Sequence, residues 1–225
     1  MKRKLSSLIV ILLMFLSIEI NAKNMDRSYR YKSITKDEVV TYFDKIETKE
    51  NEIINTWATA NKDFVLKTVL TTEFVTKVWE KTDQKEDTEI TAQRSGDIIK
   101  IQGKLKGKEI SREYKIGNRP WFQAWNLSLG FFVLSGETRQ EFWTVRNDLK
   151  EFVLVVLREQ EETIIINGKA VEAVKVKVTV NNWMSKFWSV YYWFGKSDGV
   201  YLKYKGANGP PGTPVTDIEL INEEN

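Results

Sequence analysis

Histidine and cysteine are both absent from the 225 residues. Without them the chain cannot build Ser-His-Asp or Cys-His nucleophilic arrangements, nor the zinc sites that rest on those ligands. Disulfides are excluded as well, so the fold must be held by its core. No pattern recurs at a period of 20 to 50 residues, which argues against a solenoid or a propeller. The apolar run from Leu5 to Ile20 is broken by Ser17 and Glu19. It therefore falls short of the roughly 20 apolar residues a membrane span needs.

The start of the chain instead has the form of an export signal. Lys2, Arg3 and Lys4 precede the apolar run, and polar Asn21 and small Ala22 follow it. This order predicts a secretory signal peptide over residues 1–22, the alternative being an uncleaved anchor. No cysteine follows the run, which excludes a lipid-modified N-terminus. Removing three basic residues and one acidic one, Glu19, takes the net charge from +3 to +1. Most of the apparent basicity is thus in the targeting segment, and little remains to attract nucleic acid. The remaining residues, 23–225, fit one domain. A chain of that size buries roughly 70% of its unfolded surface and can stand without staples.

Along the chain, Thr35-Lys36-Asp37-Glu38 has the form of a helix capping box. Val39, Val40, Phe43 and Ile46 then recur at helical spacing. This predicts a helix over 36–48, and Ile53 and Trp57 continue the spacing toward residue 60. After Asp63 the period becomes two, with Phe64, Leu66, Thr68 and Leu70 alternating with Val65, Lys67 and Val69. Strands are expected over 74–79, 88–94, 97–103, 109–116, 140–146 and 151–159. Trp121 to Glu137 is apolar without a clean period, as in a short helix or a loop folded over a sheet. Asn167-Gly168, between two apolar alternations, is a strong hairpin signal, because a type I′ turn needs positive φ at both central residues. Val174, Val176, Val178 and Val180 then face one way, and Lys175, Lys177 and Thr179 the other. A second hairpin turns at Gly195 to Gly199, and a Gly/Pro loop over 206–214 leads to a last strand near 216–221. The sum is a mainly β (α+β) chain: a strongly curved antiparallel sheet or unclosed barrel of about 9–10 strands, with an N-terminal helix packed against it.

Motifs that would carry catalysis are weak. Ser33-Ile34-Thr35-Lys36 fits S-x-x-K, but no K-T-G or S-D-N partner accompanies it. Gly103 to Lys108 imitates a phosphate loop, with its glycines one residue too close and Glu109 where Ser or Thr should stand. Glu159, Glu161 and Glu162 read as a solvated face, and Asp83, Glu86 and Asp87 lack the spacing of a calcium loop. Asn126-Leu127-Ser128 matches a glycosylation sequon and carries no weight alone.

Phe187 to Phe194 places six aromatic rings in eight residues. Alternation puts Trp188, Val190, Tyr192 and Phe194 on one face and Phe187, Ser189, Tyr191 and Trp193 on the other. Each ring buries roughly 150 to 250 Å², so both faces need cover. In one reading the sheet packs a core on one side and is covered on the other by the helix and the 121–134 segment. In the other, the concave side is left partly open as an apolar groove lined by Trp121, Phe122, Trp125, Trp143, Trp183, Trp188, Tyr192 and Phe194. An acyl chain entering it would gain roughly 0.8 kcal/mol per buried CH₂ with no catalytic group required.

An exported chain with this element order, ending in the hairpin YYWFGKSDGVYLKYKG, resembles the periplasmic lipoprotein-carrier superfamily of LolA and LolB. It is also similar to exported bacterial domains of unknown function thought to share that fold. The resemblance rests on order and pattern across most of residues 23–225. It implies an unclosed barrel with a helical lid and an apolar interior that holds acyl chains, and no residue matches the carriers' functional positions. The expectation is a non-catalytic periplasmic or secreted monomer that binds or carries a lipid or a lipoprotein acyl chain. It would have no cofactor, no metal and no membrane span after signal cleavage. The alternative is an envelope scaffold with a filled core and an outward apolar patch near Trp121 to Phe132, docking an envelope protein. A carboxylate hydrolase would instead need two acidic side chains facing one cleft.

Overall fold

The computed structural model describes residues 26–181, 185, 187–207 and 212–224. Residues 1–22, expected to be a signal peptide, and Trp183 lie outside the described residues. Fourteen strands hydrogen-bond into one antiparallel sheet, and the chain enters it in the middle. β1 (Arg27–Thr35) is followed by β2 (Glu38–Lys49), β3 (Glu52–Thr59), β4 (Phe64–Leu70), β5 (Thr76–Asp83), β6 (Thr88–Ser95), β7 (Ile98–Leu105) and β8 (Lys108–Lys115), each pairing with the last. A crossing segment and helix α1 (Trp125–Ser135) then carry the chain to the opposite edge. From there β9 (Arg139–Val145), β10 (Glu151–Ile166), β11 (Lys169–Val180), β12 (Ser189–Gly195), β13 (Tyr201–Ala207) and β14 (Val215–Glu224) return to the centre, where β14 pairs with β1.

Three expectations are corrected. The helix forecast over 36–48, with its continuation toward 60, is the strand pair β2 and β3. Val39, Val40, Phe43 and Ile46 satisfy a helical stripe, but Val40, Tyr42, Asp44 and Ile46 satisfy a period of two equally well. The β-branched and aromatic content decides for the strand. The apparent capping box is a hairpin turn in which Thr35 pairs with Glu38 and Lys36 takes φ 53°. Among the described residues the sheet has 14 strands rather than 9–10: β1, β2 and β3 add three, and eleven follow Asp63. The helix is not N-terminal but lies inside the segment of ambiguous period, after β8.

That helix, WNLSLGFFVLS, is apolar on every side, which is the composition of a buried element. Leu129, Phe132 and Val133 pack in one cluster with Val174, Val176, Val178 and Phe194. Gly130 is what lets α1 approach the β12–β13 turn, since a Cβ there would lie 2.3 Å from the Gly199 carbonyl oxygen. The residues Trp121 to Phe132 therefore form no outward patch: Trp121, Phe122, Leu129 and Phe132 are at most 3% exposed. A second cluster lies under β5 to β8, where Trp79, Ile90, Ile99 and Ile101 meet Trp121 and Leu149.

The two sheet edges are not laddered to each other. Side chains close the seam instead, with Tyr114 donating to the Leu149 carbonyl at 2.6 Å and Arg112 to the same oxygen at 3.1 Å. The crossing segment also ties β5 to β9. Thr76 N–H donates to the Trp121 carbonyl at 2.9 Å, and Phe122 N–H to that of Trp143 at 2.8 Å. Gln123 locks this strap, accepting from Trp121 Nε1 at 3.1 Å and donating to the Val145 carbonyl at 2.8 Å.

The Asn167-Gly168 hairpin forms as the sequence indicates, with φ of 52° and 74° at the two residues and Ile166 opposite Lys169. The aromatic hairpin resolves the question of its two faces. Val190 and Phe194 are buried inside with half-buried Tyr192. The 121–134 segment packs on this same inner side. On the outer face Tyr191 and Trp193 are covered by charged side chains, Lys175 Nζ standing 4.5 Å from the Tyr191 ring centroid and 5.6 Å from that of Trp193, while Phe187 ahead of the strand is 64% exposed. Trp193 Nε1 also donates to Glu162 at 2.6 Å. Long lysine stems can shield rings while their heads stay in water.

Candidate functional site

A cleft of about 200 Å³ opens between the first turn of α1 and the inner faces of β3, β4, β12 and β13. Its rings come from Trp57, Trp125, Tyr192 and Tyr201, and its polar groups from Asn55, Thr68, Gln123 and Asn126. The strand period explains this lining. Ile53, Asn55 and Trp57 share one face of β3, and Leu66 and Thr68 share one face of β4.

The rings are not isolated. Tyr42 stacks on Trp57 with centroids 5.3 Å apart, and Tyr31 lies 5.0 Å from both Trp57 and Tyr201. Tyr201 then meets Tyr192 at 5.9 Å, and Tyr192 meets Trp125 edge-on at 5.9 Å. This continuous aromatic belt runs from β2 across the centre of the sheet to α1. Each contact adds about 0.5–1.5 kcal/mol beyond area burial, so the wall of the cleft is stiff. Burial lifts the Tyr192 and Tyr201 hydroxyls well above the usual phenol range, so both remain neutral.

Behind the cleft stands one buried carboxyl. Asp44, 2% exposed, lies on the inner face of β2 opposite Trp57 in the ladder. Its two oxygens accept from Nδ2 of Asn55 and from Nδ2 of Asn126, the latter at 2.8 Å. Burial raises its pKa from 3.8 to about 7, against the pull of the two amide hydrogen bonds. Asp44 also borders a smaller cavity of about 30 Å³, shared with Tyr31, Asn126, Asp198 and Tyr201. The Asp44–Asn126 contact thus separates the two spaces and pins the start of α1 to β2. Among the described residues, no group of three or more Asp or Glu side chains is placed to hold a metal ion.

Of the residues anticipated from sequence, Trp125 and Tyr192 line the cleft. Phe194 is fully buried behind Tyr192, with its ring stacked at 6.1 Å. Phe122 is core, against Phe142 at 5.1 Å. Trp121 is fully buried in the second cluster, and half-buried Trp143 packs against that cluster too. Trp188 is half-buried and donates to the Ala207 carbonyl at 3.3 Å. Sequence reasoning missed Trp57, Asn55, Thr68 and Asp44. An aspartate in phase with Tyr42 and Ile46 was the available signal, hidden while that stretch read as a helix.

No family model matches the sequence, and no curated protein matches it. Among solved structures, the chain is similar to a β-barrel-like protein of a domain of unknown function, DUF1849, from Brucella abortus. That likeness has 7% identity and a TM-score of 0.56, and covers 88% of this chain and 97% of the other. It shows the fold class, a β-barrel-like protein. A looser likeness, with 10% identity and a TM-score of 0.42, is to the hypothetical lipoprotein YmcC from Escherichia coli, over 86% of this chain and 85% of the other. No helix among the described residues is long and apolar enough to cross a membrane.

Proposed function

We propose that this chain is an exported, non-catalytic binding protein of the cell envelope, whose site is the aromatic cleft under the first turn of α1. The observation that carries the reading is the cleft itself, an opening walled by four aromatic rings on the inner side of the sheet. The basic and apolar first residues support export, and the resemblance to lipoprotein carriers supports an apolar cargo such as a lipid or a lipoprotein acyl chain.

Size refines the cargo. Ligand pockets that enclose a drug-sized molecule run to about 300–1,000 Å³, and this one measures about 200 Å³. It takes the end of a chain or a single small group, while the rest of the ligand stays outside. Each methylene that enters adds about 0.8 kcal/mol.

Calorimetric titration with n-octanol tests this. We expect saturable one-site binding, abolished in Leu66→Trp, which fills the cleft from a half-buried position on β4. Absence of saturable binding, or equal binding by that variant, would sink the proposal.

A further inference from the structure

We infer that the polar end of the cleft is an ammonium site, so that the ligand is an amine-bearing amphiphile. This rests on the binding reading above and specifies the chemistry of its ligand. The argument begins with how Asp44 orients two amides. A carboxylate only accepts hydrogen bonds, so Asn55 and Asn126 must turn their NH₂ groups toward it, as they do. Each amide then presents its carbonyl oxygen away from Asp44. Both residues line the cleft. Among the described residues, no hydrogen bond reaches Oδ1 of Asn55 or of Asn126 or engages the hydroxyl of Thr68, and these atoms are not enclosed, so they are open to whatever fills the cleft. Asn55 and Thr68 are each only 3% exposed.

The group that satisfies them is a donor. Two amide oxygens and a hydroxyl oxygen offer acceptors in a place lined by no Lys or Arg. The faces of Trp57, Trp125, Tyr192 and Tyr201 add the negative potential that attracts cations to rings. The Asp44 carboxyl stands one layer behind. An ammonium matches all of these, since it has three donors, no acceptor and a positive charge. A carboxylate or phosphate could take hydrogen bonds only from the hydroxyls of Thr68, Tyr192 and Tyr201, and it would face the two amide oxygens and the ring faces with the wrong charge. A neutral hydroxyl would satisfy fewer of them.

A matched series of octyl probes tests this by calorimetry at pH 8, where the amine is protonated. We expect octylammonium to bind about tenfold more tightly than octanol, with octanoate weakest, because charge-assisted hydrogen bonds and ring–cation contacts favour the first alone. Thr68→Val and Asn126→Ala, each shown folded by its thermal melt, should reduce the ratio of octylammonium to octanol affinity at least threefold, whatever happens to octanol binding itself. Equal binding of all three probes would leave the binding reading standing and overturn the ammonium site, as would a preference that survives both variants. If none of the three binds, both readings fail.

Discussion

Replacing Asp44 by asparagine should change how stability depends on pH, in a direction fixed by the site. In the folded protein the carboxyl pKa is raised from 3.8 to about 7. The folded state therefore holds the Asp44 proton more tightly than the unfolded chain does. Between those two values the native state binds more protons, so this residue's contribution to stability is greatest below about pH 4. It is lost progressively as pH rises toward 7. At 1.36 kcal/mol for each tenfold change in proton affinity, the full excursion is about 4 kcal/mol, or about 10 °C in melting temperature for a chain of this size. Asp44→Asn removes the titration and keeps the shape. The new amide can accept from Asn55 and donate to Asn126 once the Asn126 side chain rotates. Urea unfolding of both proteins, followed by tryptophan fluorescence from pH 4.5 to 8, isolates the effect, because other titrating groups cancel in the difference. The variant should gain on the native protein steadily as pH rises and be the more stable of the two at pH 8. A difference that does not vary with pH, or that grows toward acid, would refute the reasoning, since it would mean that the two amides hold Asp44 ionised throughout.

Gly130→Ala should destabilise the protein by about 1–3 kcal/mol, the usual range for forced overpacking, because the added Cβ meets the Gly199 carbonyl at 2.3 Å. A melting temperature unchanged within error would show that α1 does not pack closely on that turn. Lys175→Ala uncovers Tyr191 and Trp193 on the outer face. It should lower stability by about 0.5–1 kcal/mol and raise the light-scattering signal of concentrated samples. Unaltered solubility and stability would assign the cover to other side chains.

The fold class and much of its second half were legible in the sequence because the strand period there is unambiguous. Val174, Val176 and Val178 are buried as the alternation requires, and Asn167-Gly168 can turn in only a few ways. The first half misled where two periods coincided. Val39, Val40, Phe43 and Ile46 satisfy a helix stripe, while Val40, Tyr42, Asp44 and Ile46 satisfy a strand face. Only the hairpin partners on either side choose between them. That ambiguity also concealed the site, because Asp44 and Asn55 acquire meaning only when Tyr42, Asp44 and Ile46 share a face. The rings of Tyr192 and Trp125 stood out by composition. Trp121 and Phe122 stood out equally, yet they became core, since aromatic content does not reveal which side of a strap faces a cavity. Which polar groups close on Asp44 depends on α1 crossing the sheet to bring Asn126 beside it, 82 residues along the chain. No local pattern encodes that meeting.

The central claim, that the cleft holds a ligand, is tested most directly by native mass spectrometry of the protein isolated from its own envelope, followed by organic extraction. The account predicts a reproducible amphiphile-sized adduct on the native protein that is missing from folded Leu66→Trp. A bare mass for the native protein, or an adduct retained by that variant, would contradict it.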